Sequence, residues 1–554
     1  MKTPLALCAC TQETEEDTAS SALFKRSDIA VVAVGPASCL RHLYFLATRL
    51  QALQQLHLCC LTTREYALGN FRTKVRESLG RVLGKQAVRG VLVYGTCADI
   101  LMQVDFEELL AGIENPGDIP IKIFCRGPLA KRKMPAGKRL QMLYGELEEE
   151  LSMASGQIYR HGEKEFFLPP LAGDFAGVVS MLHAWQWELI LYTPGGCRTG
   201  LQMDEPMGGP PCFYYTSYND IHAVLGSERK LVELMRESPR DQERIGRALI
   251  GTPVPHITGC DFEWVEQELA NPEYPLVCFP CNGFDTYAAG MSRALLTLGQ
   301  TLFDSRKRES RQILLVGCSA MEPVSRGSLQ RAVDKVGEWG FSVSFLGDGD
   351  LESIRQAAAG SLCWCVSPAG EALAGWLEET FGTPWFTHLP IGRSGMHRLW
   401  QLISERGEAP DGIMKGERAA AGGAAGAVVD VGDVPRILII SEPLTGLGIQ
   451  QCLAEDFSYT GSTVAVHGLG GQSIVHFQNP EELQGLVCSA DILIADPLYE
   501  RLARSWGAQP LFIAVPYPAL SGNLYARSPI DLIGEAGYQY FASKLGKVRR
   551  EKKQ

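Results

Sequence analysis

An internal repeat constrains this chain more than any other feature of its sequence. Cys39 and Cys197 each follow an apolar run and a short turn, and they are 158 residues apart. Three further matches follow in the same order, at offsets of 157, 156 and 156 residues. They are Leu68-Gly69 with Leu225-Gly226, Asp105-Phe106-Glu107 with Asp261-Phe262-Glu263, and Cys125 with Cys281. Such self-similarity indicates two copies of one structural unit, at about residues 27–150 and 171–300.

The remainder of the chain alternates short apolar runs with amphipathic segments. Runs of four to seven apolar residues, as in RQILLVG, RILIISEP and ADILIADP, are each followed by a segment with helical spacing. This pattern is typical of parallel strands that are covered by helices on both faces. We therefore predict an α/β fold with several Rossmann-like, doubly wound parallel-sheet domains.

The repeat and the alternation together predict six segments. They are an additional N-terminal copy of the first unit (1–150), a second copy (160–305), a Rossmann-like domain (306–405), an Ala/Gly-rich linker or insertion (406–434), a second Rossmann-like domain (435–545) and a basic tail (546–554).

Composition excludes several classes of function. With 52 basic and 63 acidic side chains, the net charge of −11 argues against a nucleic-acid partner, which needs a basic face. No stretch approaches the roughly 20 apolar residues that span a membrane, and no secretory signal is recognisable. We therefore expect a cytoplasmic protein whose 17 cysteines are in a reducing compartment.

The cysteines are distributed unequally over the two copies. The first copy contains Cys39, Cys97 and, ahead of it, Cys10 with Cys8 as the alternative. The second copy has only Cys197 at the corresponding places, because Thr252-Pro253 aligns with Thr96-Cys97. The first copy thus offers three thiols and the second copy offers one, which gives four candidate ligands in total.

Four convergent thiolates are the usual ligand set of an iron–sulfur cluster. The carboxyl ends of parallel strands meet at one sheet edge, so Cys10, Cys39, Cys97 and Cys197 are predicted to hold a 4Fe-4S or related cluster between the copies. The turns that begin with Gly35-Pro36 and Gly195-Gly196 and lead to the cysteines are predicted to bind the cluster through their exposed backbone amides. A zinc site, which prefers closer cysteine pairs, and simple core thiols are the alternatives.

Several motifs resemble those of the nitrogenase component 1 superfamily. Gly35-Pro36-Ala37-Ser38-Cys39 is similar to its H-G-P-x-[GS]-C motif, and Thr96-Cys97 is similar to its T-C turn. NGFDTYAAGMSRAL, GTPWFTHLPIG and ADILIADPLYERLARSWG resemble, in order, three later motifs of the same family. The resemblance extends over nearly the whole chain.

The resemblance implies a nitrogenase-like reductase. Such a subunit takes electrons from a separate ATP-dependent, iron-protein-like reductase and passes them through an interface cluster to a substrate or metallocofactor. It also implies a homo- or hetero-oligomer with a second component 1-like subunit. The alternative function is an assembly scaffold or carrier for a metallocluster or tetrapyrrole, without turnover of its own.

Departures from the family motifs narrow the function. Val34 replaces the histidine that precedes Gly-Pro, and the last domain has Tyr525 about where the family has a cofactor-ligating histidine. Dinitrogen reduction with a nitrogenase-type cofactor is therefore disfavoured. Cys363 or Cys365 could ligate a second metallocofactor or tetrapyrrole, although LCWCVSP has the pattern of a buried strand. His388 is predicted to be a strand-end residue.

Overall fold

A computed structural model provides the structure of the chain, which falls into two compact units, Met1–Gly290 and Met291–Gln554. It describes residues 6–9, 20–85, 88–115, 117–126, 134, 136–153, 166–193, 213–216, 218, 220–241, 243–304, 309–407, 435–467, 475–477, 480–525 and 530–551.

The first unit contains two sheets. One has the strand order β3-β2-β4-β5, from β2 (Ile29–Gly35), β3 (Leu56–Cys60), β4 (Gly90–Gly95) and β5 (Ile121–Cys125), all parallel. Its helices are α1 (Ala37–Arg49), α2 (Thr63–Leu68), α3 (Phe71–Leu83), α4 (Cys97–Leu101), α5 (Phe106–Ala111) and α6 (Ala136–Met153).

The second sheet has the order β1-β7-β6-β8-β9. Its strands are β1 (Leu7–Ala9), β6 (Glu188–Leu191), β7 (Phe213–Thr216), β8 (Arg247–Ile250) and β9 (Leu276–Phe279). Its helices are α7 (Asp174–Ala184), α8 (Asp220–Leu225), α9 (Glu228–Glu237), α10 (Pro253–Ile257) and α11 (Phe262–Glu268). Apart from β1, the two sheets have the same strand order, β3-β2-β4-β5 against β7-β6-β8-β9.

The sequence of β2 explains the layered architecture. Every residue of Ile29–Gly35 is buried, which is typical of a central parallel strand. Alternate side chains enter different cores: Ile29 and Val31 pack on one face, and Ala30 and Val32 pack on the other. The sheet is therefore covered by helices on both sides, as the sequence predicts.

The segments that precede the two copies in the chain are exchanged, since each of them packs with the other copy. The strand β1 precedes the first copy in the chain, but it pairs antiparallel with β7 of the second sheet, Cys8 opposite Tyr215. Reciprocally, Phe167 precedes the second copy and packs on Tyr44 of the first, whose hydroxyl donates to the Phe167 carbonyl at 2.9 Å. The sequence assigns Cys8 and its neighbours to the first copy, whereas tertiary pairing joins them to the second sheet.

The second unit contains two further parallel sheets, ordered β11-β10-β12-β13 and β16-β15-β14-β17-β18. Their strands are β10 (Glu309–Val316), β11 (Ser342–Phe345), β12 (Gly360–Cys365), β13 (Trp385–Thr387), β14 (Ile437–Ile440), β15 (Ser462–His467), β16 (Val475–Phe477), β17 (Ile492–Ala495) and β18 (Leu511–Ala514). Buried residues of both sheets, such as Trp364 and Ile439, belong to one continuous core.

Helices flank these two sheets. They are α13 (Arg326–Glu338), α14 (Leu351–Arg355), α15 (Glu371–Phe381), α16 (Gly392–Arg406), α17 (Pro443–Phe457), α18 (Pro480–Ser489), α19 (Pro497–Ser505), α20 (Pro518–Ser521) and α21 (Gly534–Glu551), while α12 (Tyr287–Leu302) contains the boundary of the two units. The predicted linker falls almost entirely on residues 408–434, outside the described residues.

The predicted α/β class with doubly wound parallel sheets is confirmed. None of the helices in the described ranges is long and apolar enough to cross a membrane.

Candidate iron–sulfur site

Cys39 lies at the carboxyl end of the central strand β2. The strand ends at Gly35, and Pro36 precedes the first helical residue of α1 with an extended ψ of 141°. Cys39 is in the first turn of that helix, where its amide donates to the Pro36 carbonyl at 3.0 Å. Its side chain is partly exposed. The turn predicted from the sequence thus places this thiol at a strand end and leaves it accessible.

Cys97 occupies the equivalent place after β4. Thr96 caps α4, and its amide and hydroxyl both contact the Asp99 carboxylate, at 2.6 and 2.7 Å. This capping box orients Cys97 as the first residue of the helix. The Cys97 thiol is partly exposed and lies 3.6 Å from the Arg126 carbonyl.

The two cysteines lie on either side of the topological switch point of the sheet. In the order β3-β2-β4-β5, the strands β2 and β4 are neighbours, and their connections lead in opposite directions along the sheet. Ligands of doubly wound sheets bind in the crevice at the carboxyl ends of such strands. The structure therefore brings Cys39 and Cys97 to the place where this fold binds ligands.

Gly35 allows the two cysteine-bearing turns to approach each other. A Cβ at this position would lie 2.6 Å from Thr96 Cγ2, 2.7 Å from Thr96 Oγ1 and 3.2 Å from Asp99 Oδ2. Its φ of +143° is also one that side chains with a Cβ rarely adopt. The sequence predicts that Gly35 offers its amide to a cofactor, and its close packing against Thr96 is a further reason for glycine here.

The same turns lie at the junction of the two sheets. Ser38, next to Cys39, donates from its hydroxyl to the Gly283 carbonyl at 2.5 Å. Asp174 holds that loop in place, because its carboxylate accepts from the amides of Asn282 and Gly283, both at 2.9 Å. Cys39 is thus fixed against the second copy through its immediate neighbour.

Cys97 contacts the second copy as well. The helices α4 and α10, which occupy equivalent positions in the repeat, pack against each other. Cys97, Ile100 and Leu101 pack against the core of the second sheet, which includes Val254. Contact between equivalent helices is the arrangement expected around a pseudo-twofold axis.

A buried carboxylate lies behind Cys97. Asp99 is fully buried, and the Tyr66 hydroxyl donates to its Oδ1 at 2.5 Å. Burial raises the pKa of Asp99 to about 6, although the hydrogen bonds from Tyr66 and Thr96 act in the opposite direction. The sequence spacing Thr96-x-x-Asp99 could have indicated the capping box, but the contact with Tyr66 depends on tertiary folding.

The remaining predicted ligands have no described position. Cys10, Cys197, Gly195 and Gly196 lie outside the described residues. Within the described ranges, no group of three or more His, Cys, Asp or Glu side chains is arranged to hold a metal ion. The donor chemistry of Cys39 and Cys97 fits an iron–sulfur cluster, since both are partly exposed thiols at adjacent strand ends, and they would supply half of a four-thiolate set.

Other cysteines lie in the cores or pack against them. Cys125 ends β5, and burial raises its pKa to about 11. Cys281 is fully buried. Cys363 and Cys365 are fully buried within β12, which has strand neighbours on both sides. A hydrogen bond with Cys363 together with burial keeps the pKa of Cys365 well above its ordinary value. The raised pKa values of Cys125 and Cys365 disfavour the thiolate that metal ligation needs.

His388 follows β13 and is hydrogen-bonded within the fold. Its Nε2 lies 2.8 Å from the Gly395 carbonyl, and its own carbonyl accepts from the Trp364 indole at 2.8 Å. Burial lowers the pKa of His388 to about 4. The side chain is therefore neutral at physiological pH and acts in packing, as expected for a strand-end residue.

Comparisons with known proteins agree with this architecture. Residues 195–457 match the family model described as "Nitrogenase component 1 type Oxidoreductase". The solved structure "Nitrogenase Cp1 at pH 6.5" superposes with a TM-score of 0.53 at 12% identity, over 72% of this chain and 95% of that chain. "Nitrogenase Cp1 at pH 5" gives a TM-score of 0.49 at 14% identity, over 70% and 91%. No curated protein sequence matches the chain.

The family match covers the second copy from Gly195 onwards, the whole of the following sheet domain and the beginning of the last one. The structural similarity, at low identity, shows that the fold is shared. The sequence match of residues 195–457 and the shared fold support assignment of the chain to the nitrogenase component 1-like superfamily.

Proposed function

We propose that this chain is a subunit of a nitrogenase-like, iron–sulfur-dependent reductase. Cys10, Cys39, Cys97 and Cys197 would hold a four-iron four-sulfur cluster between the two copies of the first unit, residues 1–150 and 160–305. The observation that supports this most is the position of Cys39 and Cys97 on either side of the switch point, both against the second copy.

The chain's own residues would prepare the site. Thr96 and Asp99 fix the helix that carries Cys97, while Ser38 and Gly283 fix the turn that carries Cys39. The junction between the copies would limit access of water. When bound, the cluster would transfer single electrons between a reductase and an acceptor.

The cluster assignment can be tested directly. Anaerobically purified protein should contain about four irons and four sulfides and give an EPR signal when reduced. Cys39→Ser should lose that signal, whereas Cys125→Ser, a matched change in another partly exposed thiol of the same sheet edge, should retain it. An iron-free protein after anaerobic expression with cluster-assembly machinery would refute the proposal.

Two exposed leucines suggest where the reductase would dock. Leu68 and Leu225 are 60% and 74% exposed, the highest values among the exposed large hydrophobic residues of the described chain. Each ends a helix before a glycine of positive φ, Gly69 or Gly226, and they are equivalent in the repeat. Leu68 is two residues from Tyr66, whose hydroxyl contacts Asp99 beside the cysteine turns.

An exposed leucine that occurs at equivalent places in the two copies suits a partner that is itself a twofold dimer. We therefore propose that an ATP-dependent, iron-protein-like reductase of two identical subunits binds this surface. Further association with a second component 1-like subunit is part of the same proposal.

Leucine substitutions test the docking surface. Leu68→Asp and Leu225→Asp should each weaken binding of the reductase at least about tenfold, which is a loss of about 1.4 kcal/mol in binding free energy. Leu50→Asp is the control, because Leu50 is also exposed but follows the last residue of α1, a 13-residue helix that begins at the cysteine edge. Unchanged binding in both test variants, with iron content intact, would place the reductase elsewhere.

A scaffold or carrier role for a metallocluster or tetrapyrrole is the alternative. It is favoured by Tyr525, which stands about where the family has its cofactor-ligating histidine and whose pKa is raised by burial. A scaffold would transfer its cargo to an acceptor protein without multiple turnovers in the presence of reductase and ATP. Repeated turnover under those conditions would exclude the alternative.

A further inference from the structure

A cavity of about 230 Å³ lies at the amino edge of the second sheet. It is found where β8 and β9 begin, beside the last turns of α9 and α11. The helix α10, which contacts the helix that carries Cys97, follows the opposite end of β8. The cavity is therefore separate from the candidate cluster site. Its polar walls are formed by Arg236, Arg240, Arg247, Glu268, Asn271 and Tyr274.

Arg247 is a fixed part of this wall. Its side chain is 7% exposed, and its Nε donates to Glu188 Oε2 at 2.5 Å. Its Nη1 donates to the Met235 carbonyl at 2.8 Å, and its Nη2 donates to the carbonyls of Ser238 and Pro239 at 3.2 and 2.6 Å. The guanidinium thus occupies the carbonyls at the end of α9, and Glu188 balances its charge.

Two other polar groups of the wall are also occupied. Arg236 Nη2 donates to Glu268 Oε2 at 2.7 Å and to the Glu268 carbonyl, at the end of α11, at 2.9 Å. The Tyr274 hydroxyl donates to Glu188 Oε2 at 3.1 Å. Burial and the negative charge of Glu188 raise the pKa of Tyr274, so this hydroxyl keeps its proton. Only the aromatic ring of Tyr274 is left for a ligand.

Arg240 is the arginine of this wall that has no carboxylate partner among the described residues. It is exposed, and its guanidinium lies 5.6 Å from the centroid of the Tyr274 ring. The neighbouring carboxylate, Asp241, is 3.4 Å from Arg244 Nε. Because the other two arginines of the wall are balanced by carboxylates, Arg240 gives the cavity a net positive charge. Its guanidinium stays charged at physiological pH and presents paired donors that match an oxyanion.

Asn271 adds further donors. Its Oδ1 accepts from the amides of Glu273 and Tyr274 at 3.0 and 3.1 Å, which fixes the orientation of the carboxamide. Its Nδ2 carries two N–H groups, and none of the described residues accepts from them. The rest of the wall is apolar and consists of Met235, Leu269, Ala270 and Leu276. The cavity therefore combines available donors and positive charge with an apolar surface.

We propose that this cavity binds a small molecule that carries an oxyanion group, phosphate or carboxylate, on an apolar body. Arg240 and Asn271 would donate to the oxyanion, and the ring of Tyr274 would contact the apolar body. At about 230 Å³, the cavity is smaller than the roughly 300–1,000 Å³ of typical ligand sites, so the ligand is limited to about a single ring with its anionic group. This site is independent of the cluster and of the proposed function.

Isothermal titration calorimetry of the full chain tests the proposal. The probes are phenyl phosphate and benzoate, and phenol is the uncharged control. We expect saturable binding of at least one of the two anions, with phenol at least about tenfold weaker. The anion that binds more tightly identifies the oxyanion group. Inorganic phosphate and acetate, which lack the ring, should bind more weakly than their aromatic counterparts.

Variants locate the binding site. Arg240→Gln should weaken binding of the anion at least about tenfold, because it removes the unbalanced charge and leaves a polar side chain. Asn271→Asp should also weaken it, since the carboxylate would repel the anion while keeping the hydrogen bonds to the loop amides. Arg229→Gln is the matched control and should leave the affinity unchanged, because Arg229 is exposed in the first turn of α9, whereas the cavity adjoins the last turn.

Several results would overturn the proposal. They are no saturable binding of either aromatic anion, equal affinity for phenol, unchanged affinity in Arg240→Gln, and an equal loss in Arg229→Gln. Inorganic phosphate or acetate that binds as tightly as its aromatic counterpart would refute the apolar part. If Arg240→Gln and Asn271→Asp both fail to fold, the salt dependence of wild-type binding decides. The Kd should then rise between about 0.01 and 0.15 M salt, as the Debye length falls from about 30 to about 8 Å, and a constant Kd would refute the proposal.

Discussion

Replacing Gly35 by alanine should force apart the two turns that carry Cys39 and Cys97. The new methyl group would lie 2.6 and 2.7 Å from the side chain of Thr96 and 3.2 Å from Asp99. Carbon atoms do not approach so closely, and neither neighbour can withdraw easily, because Thr96 and Asp99 hold each other in the capping box. The φ of +143° adds backbone strain.

Backbone strain and overpacking together set the loss of stability in Gly35→Ala. A residue other than glycine in this backbone region costs about 1–3 kcal/mol. Overpacking of a closely packed site costs a further 1–3 kcal/mol or so. We therefore expect a loss of about 4 kcal/mol in the free energy of unfolding. At about 2–4 °C per kcal/mol, the Tm should fall by about 8–16 °C.

Gly69→Ala is the matched control for the Gly35→Ala measurement. Gly69 also has a positive φ, +74°, but a Cβ there would have no atom within 4 Å. It should therefore show the backbone penalty alone, about 1–2 kcal/mol. Calorimetry measures both Tm values, and iron analysis after anaerobic purification should show a lower iron content for Gly35→Ala only.

Equal Tm shifts for the two alanine variants would refute this reasoning, since they would mean that the contact with Thr96 is not rigid. Retention of full iron content by Gly35→Ala would show that cluster binding does not depend on the close approach of the two turns.

Two further predictions concern buried charge. The pKa of about 4 for His388 lies below its ordinary value of 6.5, so its contribution to stability is complete above pH 6.5 and is lost as the pH falls toward 4. His388→Gln should therefore reduce the pH dependence of the free energy of unfolding, measured by urea titration, by up to about 3 kcal/mol; an unchanged pH dependence would contradict this. Arg247→Met should cost about 3–5 kcal/mol, because Glu188, 2.5 Å away and 4% exposed, would remain buried without its ion-pair partner. Arg236→Met, which breaks the exposed pair with Glu268, should cost less than about 1 kcal/mol, and similar losses in the two variants would contradict the argument.

The sequence contained enough information for much of the candidate site. Apolar runs such as Ile29–Gly35 predict buried strands because only a strand with two covered faces needs a continuous apolar sequence. The turn residues after such strands predict where Cys39 and Cys97 lie, because parallel strands end at one edge. The hydropathy of LCWCVSP likewise predicts the buried environment that Cys363 and Cys365 have.

Other features could not be predicted because they arise between distant segments. The pairing of β1 with the second sheet depends on an exposed strand edge that only the folded sheet provides. Similarly, no local pattern connects Tyr66 with Asp99, or Arg126 with His42, residues that are 33 and 84 positions apart. Each contact brings together side chains from separate strand–helix connections.

By itself, the sequence determined the α/β class, the repeat and the cysteine asymmetry, since hydrophobic periodicity and spacing are local properties of the chain. Folding alone brings Gly35 against Thr96, so that a side chain is excluded there, and the Arg126 guanidinium against His42. The physical reason is that close packing and electrostatic interaction depend on distances in space, and residues far apart in the chain acquire these only on folding.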